Sequence, residues 1–219
     1  MEKRKKALLV ALVLGDGYIR KDHRSNTCSL KLCHSEKQKE YLEYKARLLQ
    51  SLLGGKEVIV NRYVHKWPDG KSFVQYRCER ADNYFRILRN MMYPNKYSQE
   101  VLRCLTPEAL AIWYMDDGSI VANNRWSDGS VRSARTQIHT CTTQEIAQDI
   151  CDYFLKTWGI KFTTYKDGKG TYSIRCFHKE GRKFHELIHP FITPSMQYKQ
   201  RFYYPTSAQP LDNKGDDIV

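Results

Sequence analysis

The stretch LVALVLGDG at residues 9–17 decides how this chain is read, because it returns as LAIWYMDDG at residues 110–118. Each copy is an apolar run of helix length closed by an acid and a glycine. The two acids, Asp16 and Asp117, stand 101 residues apart. Gly17 and Gly118 follow them, which predicts helices that stop in a left-handed turn.

Other landmarks recur in the same order, the mark of an internal duplication. Lys31-Leu32-Cys33 is matched by Gln137-Ile138-His139, each alternating as a half-buried strand does. Helical stretches at 36–53 and 143–158 end at Gly54 and Gly159. Two strands then flank a turn: 58–67 and 72–80 around Asp69-Gly70, and 161–166 and 171–177 around Asp167-Gly168. Tyr76-Arg77-Cys78 corresponds to Ile174-Arg175-Cys176, and closing helices follow at 81–92 and 180–189. The predicted fold is α+β, two αββαββα half-domains at 1–95 and 106–205, with a linker at 96–105 and a polar, acidic, frayed tail at 206–219.

The 219 residues carry 36 Lys and Arg against 24 Asp and Glu, a formal charge of +12, which points to a polyanionic partner. No basic amphipathic helix or lipidation signal favours a membrane instead. Seven cysteines without a Cys-x-x-Cys pair argue against a disulfide framework and a zinc ribbon, so an intracellular, reducing compartment is predicted. Lys3 to Lys6 and the apolar run after them imitate a signal peptide, but Gly15, Asp16 and Gly17 stand where a cleavage site would be. His185-Glu186-Leu187-Ile188-His189 matches the HExxH zinc-protease pattern. That pattern wants a third ligand, yet no His or Glu follows His189 and Pro190 stops the helix, so these histidines read as surface or core-edge residues and zinc is not expected.

An acid directly after eight apolar residues is expensive to bury. At a helix C-terminus it also opposes the helix dipole, unless a cation compensates. If the two apolar helices pack side by side, the repeat brings both carboxylates to one place. Ala11 and Gly15 give the first helix a small-residue face; the second has Ala111 but Ile112 opposite Ala11 in the repeat. Paired carboxylates holding Mg²⁺, with Mn²⁺ able to substitute, suit phosphodiester hydrolysis.

LVALVLGDG and LAIWYMDDG resemble the paired signature of LAGLIDADG homing endonucleases, and the likeness extends from Ala7 to about Tyr204. It implies motif helices at the interface of two halves, saddle-shaped antiparallel sheets in the DNA major groove, and metal bound by Asp16 and Asp117. Gly15 and Asp116 would lend at most a backbone oxygen. Lys96 and Lys199, after each half's last helix, would polarise water or stabilise phosphoryl charge, and Gln137 would join the solvent network near the metals, with Lys31 at its place in the first half. As a single chain supplying both halves, the protein is expected to act as a monomer on a long asymmetric duplex. Two other readings share the scaffold: an RNA maturase that binds intron RNA, and a non-catalytic DNA-binding regulator.

A two-stranded ribbon presents alternate side chains to the major groove. The candidate DNA contacts on the hairpins are Arg62, Lys66, Lys71, Gln75, Arg77, Arg80, Lys161, Lys166, Lys169 and Arg175; on the earlier strands they are Arg20, Arg24, Lys31, Arg125, Arg132, Arg135 and His139.

Overall fold

A helix that is apolar on every side has its place in the interior. The computed structural model describes residues 2–22, 27–68, 70–125, 127 and 131–204, the side chains of 123–125 and 131 excepted. The predicted tail and Arg24 lie outside the described residues, as does the Arg125 side chain. The first half runs α1 (Lys3–Leu14), β1 (Tyr18–Lys21), β2 (Cys28–Ser35), α2 (Lys39–Leu53), β3 (Asn61–Lys66), β4 (Ser72–Ala81) and α3 (Tyr84–Met92). After a short α4 (Gln99–Leu102), the second runs α5 (Pro107–Asp117), β5 (Gly118–Arg125), β6 (Val131–Thr142), α6 (Gln144–Trp158), β7 (Thr163–Lys166), β8 (Tyr172–Phe177) and α7 (His178–Ile188). This is the predicted α+β order, αββαββα twice.

Every residue from Ala7 to Leu14 and from Ala109 to Met115 is buried, and α1 packs against α5 as the central seam. Arg4 pairs with Glu108 at 2.6 Å where the two helices begin, and the Asp16 backbone N–H donates to Asp116 Oδ2 at 3.1 Å where they end. The helices therefore run parallel and deliver their C-termini together. Thr106 starts α5 by accepting the Ala109 N–H, with Pro107 in the first turn; Thr143 starts α6 by accepting the Ile146 N–H. Gly159 closes α6 in the left-handed region at φ 64°.

The left-handed stop predicted at Gly17 and Gly118 is not what forms: neither has a positive φ, and Gly118 sits at −86°. Close approach is what calls for glycine there. The chain turns from helix end straight into a strand, so a Cβ on Gly17 would lie 2.0 Å from the Leu12 carbonyl oxygen, and one on Gly118 2.1 Å from the Tyr114 ring.

Each half carries a four-stranded antiparallel sheet, ordered β1-β2-β4-β3 and β5-β6-β8-β7. Leu30, Leu32 and Cys78 of the first sheet, and Ala134, Ile138, Ile174 and Cys176 of the second, face the helices and are buried. The opposite faces are open. Equivalence holds for the outer strand pairs, where Lys31 lies opposite Tyr18 and Gln137 opposite Ser119. It slips for the hairpins: Arg77 pairs with Cys33, but Arg175 pairs with Gln137, two residues before His139, the match of Cys33. The ladder irregularity between Ile138 and Thr142, where Cys141 takes φ 45°, lies beside this slip. Among the described residues no helix is long and apolar enough to cross a membrane.

Candidate active site

Asp117 is the last residue of α5, whereas Asp16 lies in the turn after α1. Neither carboxyl behaves as an ordinary surface acid. Burial first, then the Asp116 charge, raises the pKa of Asp16, against the pull of Lys45, Lys199 and Lys96. Burial, with Asp116 and Asp16 adding to it, pushes Asp117 up to about 7, while Lys96 and the Trp113 indole N–H act the other way. Trp113 Nε1 donates to Asp117 Oδ2 at 3.1 Å. Three acids thus crowd one low-dielectric corner, an arrangement that a bound cation relieves.

Lys96 and Lys199 follow the last helix of each half, and each bonds the carbonyl end of one motif helix. Lys96 Nζ donates to the Leu14 carbonyl at 2.7 Å; Lys199 Nζ donates to the Met115 carbonyl at 2.6 Å and the Asp116 carbonyl at 3.0 Å. They supply the cation that a helix C-terminus bearing an acid requires. Burial lowers the Lys199 pKa, and the nearby Asp116, Asp117 and Asp16 oppose that shift. An ammonium has three donors, so each lysine keeps at least one beyond these carbonyl bonds.

Sequence reasoning missed Lys45 and His34. Lys45, fully buried on α2, forms an ion pair with Asp116 Oδ1 at 2.5 Å and reaches His34 Nε2 at 2.9 Å. His34, at the end of β2, lies 3.6 Å from Asp16 Oδ2. Burial and Lys45 lower its pKa to about 4, so it is neutral. The expectation that Asp116 offers only a backbone oxygen understates it: its side chain meets Asp16, and Gly15 is small because a Cβ there would stand 2.0 Å from Asp116 Oδ2. Ligand atoms of Asp16, His34 and Asp116 lie within 4.8 Å of one another, the one such His/Cys/Asp/Glu group among the described residues. Lys45 takes up the Asp116 carboxylate, so Asp16 is the member of this group that fits a divalent cation, as a hard oxygen donor.

The open sheet faces border this corner. On the first, a trough of about 600 Å³ runs from Asp16 past Lys31, Asn61, Gln75 and Arg77 to Glu79. On the second, His139 bonds Ser119 at 3.0 Å and Tyr165 at 3.3 Å, and Lys199 acts on its charge. Register puts Arg20, Lys31, Gln75, Arg77, Arg135, Gln137, His139 and Arg175 on these open faces. Arg20 and Lys31 both pair there with Glu79. Arg77 lies over the Tyr63 ring at 4.8 Å and Arg175 over Tyr165 at 5.2 Å, the same stack in each hairpin.

Other predicted contacts are not brought there. Arg62, Lys66, Arg80 and Lys166 point to the helix side, and Arg80 binds the carbonyls of Lys56 at 2.6 Å and Gly54 at 2.8 Å. Lys71, Arg132, Lys161 and Lys169 lie at turns and strand ends. Of the HExxH histidines, His185 is fully buried between Thr136 and Gln200, and His189 bonds Gln200 and stacks on Tyr204 at 3.7 Å.

Comparison with known proteins gives the same picture. The chain is 30% identical over 203 residues to Protein RecA of Mycobacterium shimoidei, covering 88% of this chain and 45% of that protein. It therefore spans about half the length of such relatives. It is 27% identical over 221 residues to DNA endonuclease I-ChuI of Chlamydomonas applanata, covering 91% of this chain and 95% of that one. The solved structure of the homing endonuclease I-WcaI bound to its DNA recognition sequence superposes with a TM-score of 0.76 at 22% identity, over 90% of this chain and 86% of that one. The model of the LAGLIDADG DNA endonuclease family matches residues 6–184, and the chain belongs to that family.

Proposed function

We propose that this chain is a site-specific homing endonuclease that makes a metal-dependent double-strand break in a long, asymmetric DNA target. The observation that carries the reading is the joining of the C-terminal ends of α1 and α5, which carry Asp16 and Asp117, each end bonded by its own lysine. Family membership and the likeness to I-ChuI support it.

Asp16 and Asp117 are the residues to hold Mg²⁺, with Mn²⁺ an acceptable substitute. When bound, the ion supplies Lewis-acid charge at the scissile phosphate and lowers the pKa of water. The chain's own residues do the rest. The remaining donors of Lys96 and Lys199 face charge that develops on phosphoryl oxygens, and Gln137, opposite Ser119 on the neighbouring strand, orients solvent beside Asp117. The open faces, with Arg77 and Arg175 held over tyrosine rings, take the duplex; guanidiniums fixed this way lose little entropy on meeting a base edge or phosphate. The hairpins share Tyr63/Tyr165 and Arg77/Arg175 but differ at Asn61/Thr163, Gln75/Ser173 and Glu79/Phe177, so the two halves of the target differ too. One chain supplies both halves and acts as a monomer, promoting mobility of a host intron or intein.

The test is selection from a randomised duplex pool incubated with the protein and Mg²⁺, followed by sequencing of the cut ends. One long non-palindromic consensus is expected, lost with chelator, with Asp16→Asn and with Asp117→Asn, while binding persists. A protein that binds duplex tightly but yields no cut ends with either Mg²⁺ or Mn²⁺ sinks the reading and favours a DNA-binding regulator. Affinity should also fall steeply with salt, as it does when several phosphates are neutralised.

A further inference from the structure

One buried ion pair is not used in the chemistry above. Lys45 comes from α2 of the first half and Asp116 from α5 of the second, and both side chains have 0% exposure. Removing two charges from water costs several kcal/mol per ion, and attraction repays this only when further hydrogen bonds satisfy the remaining atoms. Here they do. Asp116 Oδ1 takes the Lys45 ammonium, and Oδ2 takes the Asp16 backbone N–H at 3.1 Å. The ammonium also reaches His34 Nε2 at 2.9 Å and lies 4.5 Å from the Tyr41 ring centroid.

The donor inventory fixes the rest of the network. An ammonium can only donate, so His34 Nε2 accepts and its proton sits on Nδ1. That Nδ1 faces Gln38 Oε1 at 3.0 Å and Asp16 Oδ2 at 3.6 Å. Asp16 is thus held through its backbone N–H by Asp116, and His34, which Lys45 orients, stands beside its carboxylate. The repeat lacks this on the other side. Gly15 stands 101 residues before Asp116, and Ile150, as far before Gly159 as Lys45 is before Gly54, is buried and apolar. Asp117 has a Trp113 indole instead.

We propose that Lys45 and Asp116 form a clamp across the seam that positions Asp16, so that the two acids of the site are unequally preorganised. Asp116 acts as a positioning residue, since Lys45 neutralises its carboxylate and would repel a cation sharing it. The proposal rests on the nuclease reading for its effect on cutting, but not for its effect on Asp16 itself.

Two measurements on the full chain test it. In the metal-free protein without DNA, amide hydrogen exchange by NMR should show Asp16 protected, and Lys45→Met should cut that protection at least about tenfold while amides of β7 and β8 exchange unchanged; Lys45→Arg should restore it. On the duplex recovered by selection, labelled on both strands, Lys45→Met should change the ratio of the two strand-cutting rates at least about tenfold, so that nicked product accumulates. Equal slowing of both strands, with Asp16 exchange unaltered, overturns the clamp. If wild-type protein cuts no duplex, the nuclease reading fails and the exchange result alone decides on the clamp. Should Lys45→Met not fold, Asp116→Asn, which keeps an acceptor but loses the charge, takes its place in both measurements with the same outcomes.

Discussion

The Lys96 ammonium donates to the Leu14 carbonyl at 2.7 Å, and Lys199 makes the same bond to Met115 at 2.6 Å. Leu14 and Met115 are 101 residues apart, as Asp16 and Asp117 are, so each lysine serves its own helix end. Two acids at the carbonyl ends of two parallel helices would be doubly unfavourable without them. Lys96→Met and Lys199→Met should each lower stability by about 1–3 kcal/mol, the range for a charged hydrogen bond, and slow cleavage by about a hundredfold, the loss typical of one transition-state donor. Denaturant melts and single-turnover cutting at saturating enzyme check this. Wild-type rates in both variants would remove the lysines from the chemistry and leave them as helix caps.

Asp117 makes a second prediction through its pKa of about 7. A carboxyl whose folded value lies above its unfolded value of about 4 binds its proton more tightly when folded. Between those values its contribution to stability falls as pH rises, and above about 7 the full penalty stands. Asp117→Asn removes the penalty and keeps an acceptor for Trp113. In the metal-free protein the variant should melt no higher than wild type near pH 4, and progressively higher than it up to pH 8. Divalent ions should narrow the gap by stabilising wild type. A variant less stable than wild type at pH 8 would mean that the ionised carboxylate is already compensated by the chain.

Gly15 turns the chain out of α1 at φ −77° and ψ −130°, and it leaves no room for a side chain, because a Cβ would stand 2.0 Å from Asp116 Oδ2. Gly15→Ala should destabilise by about 1–3 kcal/mol, as overpacking of a filled interior does. Because Asp116→Gly by itself strands the buried Lys45 charge, the comparison is a cycle: in the Asp116→Gly background Gly15→Ala should cost less than it does in the wild type if the clash is the cause. Equilibrium unfolding of the three variants reads this directly, and an equal cost of Gly15→Ala in both backgrounds would place the strain elsewhere.

What could be read from residues alone follows from periodicity and repetition. The pairing of LVALVLGDG with LAIWYMDDG announced the seam, the order of elements and both acids, because an apolar run closed by an acid is conspicuous in one dimension. Lys96 and Lys199 came only with the family resemblance. The clamp was not legible. Lys45 sits in KEYLEYKARLLQ among other charged residues, and nothing in that spacing distinguishes the one lysine that turns inward. Asp116 was discounted because its neighbour Asp117 fits the motif better, although its match in the repeat, Gly15, recorded the space it fills. The hairpin slip was hidden as well, since Arg77 and Arg175 match within their hairpins and differ only in what lies beside them on β2 and β6.

Arg77 and Arg80 lie three residues apart on β4, so alternation turns them to opposite faces, and they should fail in different assays. Arg77 stands on the open face over Tyr63, bonded to Gln75 at 2.7 Å and to His65 at 2.8 Å, with its guanidinium held toward the trough. Arg80 spends its guanidinium on two carbonyls of the turn after α2. Arg77→Ala should therefore weaken duplex binding by about 1–3 kcal/mol if it reads a base, and relax selection at a few neighbouring target positions. If it meets phosphate instead, the logarithmic salt slope should shrink by about 0.9 with no change of preference. Arg80→Ala should leave both affinity and salt slope near wild type, while unfolding becomes easier by about 0.5–1.5 kcal/mol because two exposed carbonyls of the turn after α2 lose their protein donor to water. Fluorescence anisotropy at several salt concentrations, beside denaturant melts, separates the two. A loss of DNA affinity in Arg80→Ala with unchanged stability would put the duplex on the helix side of the sheet, and the open faces would have to be given up as the reading surface.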